Sequence, residues 1–264
     1  MVRQAACPAF MATGETAIPI TRKTGARDVR CWSRKPRATA QPTCLLIHHR
    51  DMRSQLIDAG TDWLDGVLYT HDHADQTHGI DDLRAMVYAR RQRIKIWMDD
   101  ATAQTLIKRF GYCFSQIRGS DYPSILEDNR ITVPYSNIAV DGAGGSLSAI
   151  PFRQTHGRID SLGFRIGNVA YSSDISDLPE ESEAALDDLD VWVVDALRRT
   201  PHPTHFHLEK TLKMIEKINP RRAILTNLHI DMDYETLLGE LPKNIYPAYD
   251  GLEFAERQAI GQQA

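Results

Sequence analysis

The chain has 264 residues, 42% of them hydrophobic and 25% charged, which supplies a full core and excludes a disordered or low-complexity protein. A formal net charge of −4 excludes a generally basic, nucleic-acid-gripping surface but leaves room for a local anion site, so no stable nucleic-acid complex is expected. No apolar run approaches the roughly 18 residues of a membrane span, and Met1 to Ile20 lacks the compact apolar core of a signal peptide, so a cytoplasmic, membrane-free protein is expected.

Residues 1–41 carry scattered Gly, Pro and Arg with no sustained period, a poorly defined N-terminal segment of what reads as one domain over 1–264. The basic stretch from Arg22 to Arg37 reads equally well as a solvated loop or as a rim that attracts phosphate. Cys7, Cys31, Cys44 and Cys113 contain no Cys-x-x-Cys pair, which argues for reduced thiols and against a disulfide framework or a thiolate zinc site. Cys44-Leu45-Leu46-Ile47 and Gln55-Leu56-Ile57-Asp58 read as two strands of a hairpin around the polar turn Arg50 to Ser54, with His48 and His49 as exposed turn residues.

The stretch Tyr69-Thr70-His71-Asp72-His73-Ala74-Asp75-Gln76-Thr77-His78-Gly79 is dense in imidazoles and carboxylates. Val67, Leu68 and Tyr69 before it favour a strand, and Ile80, Leu83 and Val87 after it have helical spacing, so the cluster sits between strand and helix. His71 and His73 are two apart in extended chain and point to one side, and Asp75 continues that alternation. Imidazole nitrogen with carboxylate oxygen suits zinc, or manganese and iron where oxygen dominates.

Thr-His-x-His-x-Asp resembles the signature of the metallo-β-lactamase-fold hydrolases. The extension His78-Gly79-Ile80-Asp81-Asp82-Leu83-Arg84 is similar to the branch of phosphoribosyl cyclic phosphodiesterases, the PhnP-like proteins, near relatives of the tRNA 3′-processing nucleases. The similarity runs from about Pro42 to about Gly251, with Thr13 to Pro19 a faint echo of the family's first strand and turn. It implies an α/β (α+β) protein built as an αββα sandwich. It also implies that Asp58 lies beneath the metal site and orients a ligand histidine.

Further along, Ile94 to Met98 reads as a strand and Asp99 to Arg109 as a helix with Leu106 and Ile107 inward. Gly111 to Asn129 reads as a loop beside the active-site mouth, where Tyr112, Phe114 and Tyr122 either pack or stack on a base or sugar. The strand-ending residues His156 of Thr155-His156-Gly157 and Asp174 of Tyr171-Ser172-Ser173-Asp174 match family ligands, the Asp bridging two metals about 3.5–4 Å apart. A strand Asp190 to Asp195 leads to Arg198 and to His202-Pro203-Thr204-His205-Phe206-His207, then to a helix Leu208 to Ile218 stopped by Asn219-Pro220. By resemblance, His205 contacts the scissile phosphate and protonates the leaving oxygen. His207 caps the helix or joins the substrate site, and Arg198 is a candidate phosphate clamp. Read without the family, the three histidines would also form a separate metal site or an anion site at the helix start.

The last strand, Arg222 to His229, precedes a helix opened by Asp231-Met232-Asp233-Tyr234. Gln76 and Asn227 stand where the family has histidines for its second metal, and His78 and His229 each follow two positions late. Either the second site is rebuilt from Asp75, Asp174, His229 and His78, or it is weakened to a labile, oxygen-preferring one. The expected assembly is therefore one or two divalent transition metals (zinc or manganese, with iron admitted) on His71, His73, Asp75, His78, His156, Asp174 and His229, with Asp75 and His205 in catalytic roles. The expected activity is metal-hydroxide hydrolysis of a small cyclic phosphate or nucleotide-like phosphodiester. Alternatives are a tRNA-processing nuclease, another hydrolase of the fold, or a non-catalytic nucleotide- or metal-binding module. A homodimer is the default for a soluble enzyme.

Overall fold

The computed structural model describes residues 10–12, 42–46, 51–132, 136–252 and 254. The expectations for Thr13 to Pro19, Arg22 to Arg37, His48, His49, Cys7 and Cys31 lie outside the described residues.

Two sheets form the centre. Across the first run β1 (Phe10–Ala12), β2 (Cys44–Leu46), β3 (Gly66–Leu68), β4 (Ile94–Met98) and β5 (Leu126–Arg130), antiparallel between β1 and β2 and parallel beyond. The second contains β6 (Ile138–Gly142), β7 (Gly145–His156), β8 (Ile159–Ile166), β9 (Val169–Ser172), β10 (Val191–Asp195), β11 (Arg222–Thr226) and β12 (Ile245–Pro247), each beside the next. From β6 to β9 the pairing is antiparallel, and from β9 to β12 it is parallel. The helices are α1 (Met52–Asp58), α2 (Ala74–Thr77), α3 (Arg84–Arg90), α4 (Asp100–Phe114), α5 (Glu180–Glu183), α6 (Leu208–Ile218) and α7 (Tyr234–Glu240), with a 3₁₀ turn at Ile80–Leu83.

The layering follows from which side chains each strand sends each way. In β10, Val191 and Val193 enter an apolar cluster with Leu46, Leu68, Val140 and Phe164, and this cluster fills the space between the sheets. Trp192 and Val194 face the other way, onto Leu225, Ile215 of α6 and Leu237 of α7. In the first sheet Leu45, Val67 and Ile96 pack against Met52, Leu56, Leu83, Val87 and Leu106 of the preceding helices. Strands buried on both faces read as unbroken apolar runs, as Val191 to Val194 does, and the sum is the αββα sandwich.

Several boundaries depart from expectation. Gln55 to Asp58 is helical, part of α1, rather than the second strand of a hairpin. Met52, Gln55 and Leu56 are its buried residues, a spacing of three and four that is helical and not alternating. Asp58 consequently lies exposed at the end of this helix and belongs to neither group of metal donors among the described residues. Helix α4 runs on to Phe114 and presents Ile107 at its surface, while β5 occupies the end of what reads as a loop.

The parallel direction of β7, β9, β10 and β11 has one consequence for chemistry: their C-terminal ends lie on the same edge of the second sheet. The end of β3 joins them there, since the Leu162 backbone N–H of β8 donates to the Thr70 carbonyl at 2.9 Å across the two sheets. Between β9 and β10, the buried Trp192 indole N–H donates to Ser172 Oγ at 3.0 Å. Ser172→Ala keeps the volume and strands that donor, so the unfolding free energy falls by about 1–3 kcal/mol. In urea titrations the double variant Ser172→Ala/Trp192→Phe loses less than the sum of the single variants, because the pair is removed together.

Candidate metal centre

Each functional side chain stands at or just past a strand end. His71 follows β3, is buried, and places Nδ1 3.0 Å from Thr70 Oγ1. Its other nitrogen, Nε2, is buried without a hydrogen-bond partner, lying 3.3 Å from Asp174 Oδ2 but not aligned for a bond. His156 ends β7, and its Nδ1 donates to the Thr204 carbonyl at 2.7 Å. A carbonyl only accepts, so the proton of a neutral ring is on Nδ1 and a lone pair is on Nε2. That Nε2 lies 3.3 Å from His73 Nδ1 and 3.8 Å from Asp174 Oδ2.

His71, His73, His156 and Asp174 thus offer one donor atom each, all within 4.8 Å of one another. Burial pulls the His156 imidazole down to about 4, more than the Asp174 charge pushes it back. Burial and the neighbouring His71 lower His73 as well. Burial would raise the Asp174 carboxyl, but His71 above all, with His205 and His156, holds it well below the usual carboxylate range. Three imidazoles, two of them with lowered proton affinity, around an ionised carboxylate, with an orphaned nitrogen on His71, form a donor set that fits a divalent transition metal.

Asp174 is held by its backbone as much as by its neighbours. Its φ is 50°, in the left-handed region that aspartate tolerates, and its carbonyl accepts from Ser161 Oγ at 3.0 Å, which in turn accepts from Gln154 Nε2 at 3.3 Å. Its second oxygen, Oδ1, accepts from Asn227 Nδ2 at 2.6 Å.

Beside the cage stands a second arrangement. Asp195, the fully buried last residue of β10, accepts from the Ile175 N–H at 3.2 Å and shares a 2.7 Å hydrogen bond with His205 Nδ1. Burial lowers the affinity of His205 for its proton, but the Asp195 hydrogen bond and charge outweigh this and the ring ends above its ordinary value. Burial, in turn, pushes the Asp195 carboxyl up. The His205 ring centroid is 4.8 Å from that of His156, so the protonatable pair adjoins the cage.

Other expected residues are placed elsewhere. Asp75 is exposed in the first turn of α2, where the turn of the helix ends the extended alternation; its charge reaches His73 and His205 without its carboxylate joining the cage. His78 caps the end of α2 and packs edge-on against Phe110 at 5.7 Å, and His229 bonds Asp231 at 2.8 Å; neither is in the cluster among the described residues. Arg198 donates to the Thr200 and Pro201 carbonyls at 3.1 and 2.6 Å, so its guanidinium braces its own turn. His207 occupies the N-cap of α6 without a side-chain capping bond, and His202 stacks edge-on to His205 at 5.1 Å; among the described residues the three histidines form no metal-donor group of their own. Phe114 is core, while Tyr112 and Tyr122 line a shallow depression with Arg84, Ile117 and Ser120. The hydrogen bonds of Asp195 to His205 and of Asn227 to Asp174 escaped the sequence reading, although Asp195 ends an apolar strand just as the cage residues follow theirs.

Residues 43–230 match the family model described as the beta-lactamase superfamily domain. The chain belongs to this superfamily. Its fold is that of the metallo-β-lactamase hydrolases, most of them metal-dependent, and its relatives include PhnP-like proteins. A crystal structure of a new diphosphatase from the PhnP family is similar at 30% identity and a TM-score of 0.70, over 80% of this chain and 78% of that one. Human tRNase Z, short form, shares the fold at 12% identity and a TM-score of 0.60, over 92% and 97% of the two chains. An octanoyltransferase of Porphyromonas gingivalis is 31% identical over 209 residues, 77% of this chain; the chain spans only 40% of that protein's length.

Gly157, directly after His156, has φ 66°, and a Cβ there would come within 2.4 Å of Thr204 Cγ2. The missing side chain is what lets the Thr204 carbonyl reach His156. Gly157→Ala therefore costs about 1–3 kcal/mol through strain and overpacking, read as a lower urea midpoint.

Proposed function

We propose that this superfamily member is a metal-dependent phosphodiesterase acting on a small cyclic phosphate or nucleotide-like phosphodiester. The observation that carries the reading is the juxtaposition of the His71, His73, His156 and Asp174 cage with the Asp195–His205 pair. His71, His73, His156 and Asp174 would hold a divalent ion such as zinc or manganese, which would supply Lewis acidity toward a phosphoryl oxygen.

The chain's own residues do the rest. Asp195 fixes His205 through Nδ1, so the ring turns its other nitrogen, Nε2, outward as the proton donor. As water attacks phosphorus and the phosphorus–oxygen bond breaks, that proton passes to the leaving oxygen, and the proton shed by the attacking water restores the charged ring. The retained Asp195 charge supports the protonated ring before transfer and orients it throughout. The net negative charge of the chain fits a small substrate better than a long polyanion.

A second reading, hydrolysis of a phosphoanhydride, is favoured by one observation, the 30% identity to a protein described as a diphosphatase. The test is turnover of bis(p-nitrophenyl) phosphate and of ribose and nucleoside cyclic phosphates beside diphosphates, on one sample before and after chelation. Chelator-sensitive cleavage of the diesters is expected. Cleavage of diphosphates alone would transfer the assignment to the anhydride, and no cleavage by metal-loaded protein would sink both.

The protonation state sets the pH profile. A raised His205 pKa keeps the donor charged above its ordinary range, so the rate falls only as pH rises through that higher value. Asp195→Asn removes the charge that raises it, and the alkaline limb of kcat moves to lower pH. His205→Ala lowers kcat by about 10²–10⁴-fold, and the loss is smallest for substrates with an acidic leaving group such as p-nitrophenol, which needs no proton.

A further inference from the structure

Asp174 belongs to two candidate donor sets, the cage and a second group with Asp195 and His205. We infer that the chain nevertheless holds a single metal ion, in the cage, and that the Asn227 amide stands on the Asp174 oxygen a second ion would need. The inference rests on the metal-centre reading above and concerns how many ions that centre takes.

The two oxygens of Asp174 face different company. Oδ2 faces the ring nitrogens of His71 and His156 at 3.3 and 3.8 Å. Oδ1 accepts the Asn227 Nδ2–H at 2.6 Å, a short, charge-assisted hydrogen bond. The carboxylate oxygen is an acceptor, so the group facing it must be the amide's N–H side; an amide nitrogen offers a cation no lone pair. Asn227 is held in this position by a left-handed backbone, φ 59°, directly after β11.

Of the remaining donors of the second group, Nδ1 of His205 and Oδ2 of Asp195 are committed to each other, which leaves an ion there only His205 Nε2 and the buried Asp195 Oδ1. His205 Nδ1 and Asp195 Oδ2 are 2.7 Å apart with a proton between them, and the same Oδ2 also takes the Ile175 N–H. A protonated Nδ1 ligates nothing. No further imidazole stands in among the described residues, since His78 packs on Phe110 and His229 bonds Asp231; Gln76 is buried with its Nε2 turned to Asp75 Oδ2 at 3.5 Å, and the unpartnered Gln76 Oε1 and Asn227 Oδ1 are uncharged amide oxygens. The hydrogen bond from Asn227 answers the charge on Asp174 that a second cation would otherwise answer. Without the Asp174 oxygen and without the two imidazoles the resemblance supplies, these residues do not fit a tightly held second transition metal.

The deciding experiment counts metal on the full chain, stripped by chelation and titrated with cobalt(II). Visible absorption and elemental analysis after gel filtration are the readouts, independent of activity. One equivalent per chain is expected, lost in His71→Ala and His156→Ala. The double variant Gln76→His/Asn227→His, checked for folding by circular dichroism, is expected to take up a second equivalent. Two tightly held equivalents in the natural chain overturn the inference and leave the metal-dependent function standing. No bound metal, or one equivalent that survives His156→Ala, overturns the metal centre itself. A folded double variant that still holds one ion shows that Asn227 is not what excludes the second. If that variant does not fold, the count on the natural chain decides alone.

Discussion

Asp174 is where the two halves of the site meet, and its position depends on backbone geometry before any ligand is considered. A left-handed residue just past β9 turns its carboxylate back over the sheet edge, while the Gln154–Ser161 hydrogen bonds fix the carbonyl behind it. One oxygen then faces the imidazoles of His71 and His156, and the other faces Asn227. Burial of an unpaired carboxylate in this apolar sandwich would be costly, so these partners are what permit it to remain charged.

The sheets explain why those partners arrive together. Parallel strands deliver their C-terminal ends to one edge, and β7, β9, β10 and β11 each contribute a polar residue there after an apolar stretch. The first sheet supplies His71 and His73 from the end of β3, tied across by the Leu162 to Thr70 hydrogen bond. Ligands distant in sequence become neighbours with little loop of their own, which is economical in the conformational entropy of ordering a site.

Much of this was legible in the sequence where local pattern and tertiary demand agree. The His71, His73, His156 and Asp174 motif residues lie after strands whose apolar runs are unmistakable, and α6 from Leu208 to Ile218 is bounded by its own breakers. The sequence misleads where a short segment fits two periods: Gln55 to Asp58 alternates as well as it coils, and only burial of Met52, Gln55 and Leu56 on one face selects the helix. Contacts across long sequence separations were not readable at all. The bond from Asn227 to Asp174 spans 53 residues, and that from Asp195 to His205 depends on where the intervening loop folds back. Their places two positions after the family's histidines suggested His78 and His229, and these rings lie against Phe110 and Asp231, outside the donor group of the described residues.

The close approach at Gly157 bears on motion. Thr204 lies against that glycine, its carbonyl holds His156, and its next residue is His205. The same loop is sewn down further by Leu197 to Phe206, Phe206 to Ile175 and His229 to Leu197 backbone hydrogen bonds. A cage ligand and the proton-carrying imidazole therefore ride on one mechanical unit. Any opening of this loop as a gate would have to break several of these bonds at once and would carry His205 away from the centre.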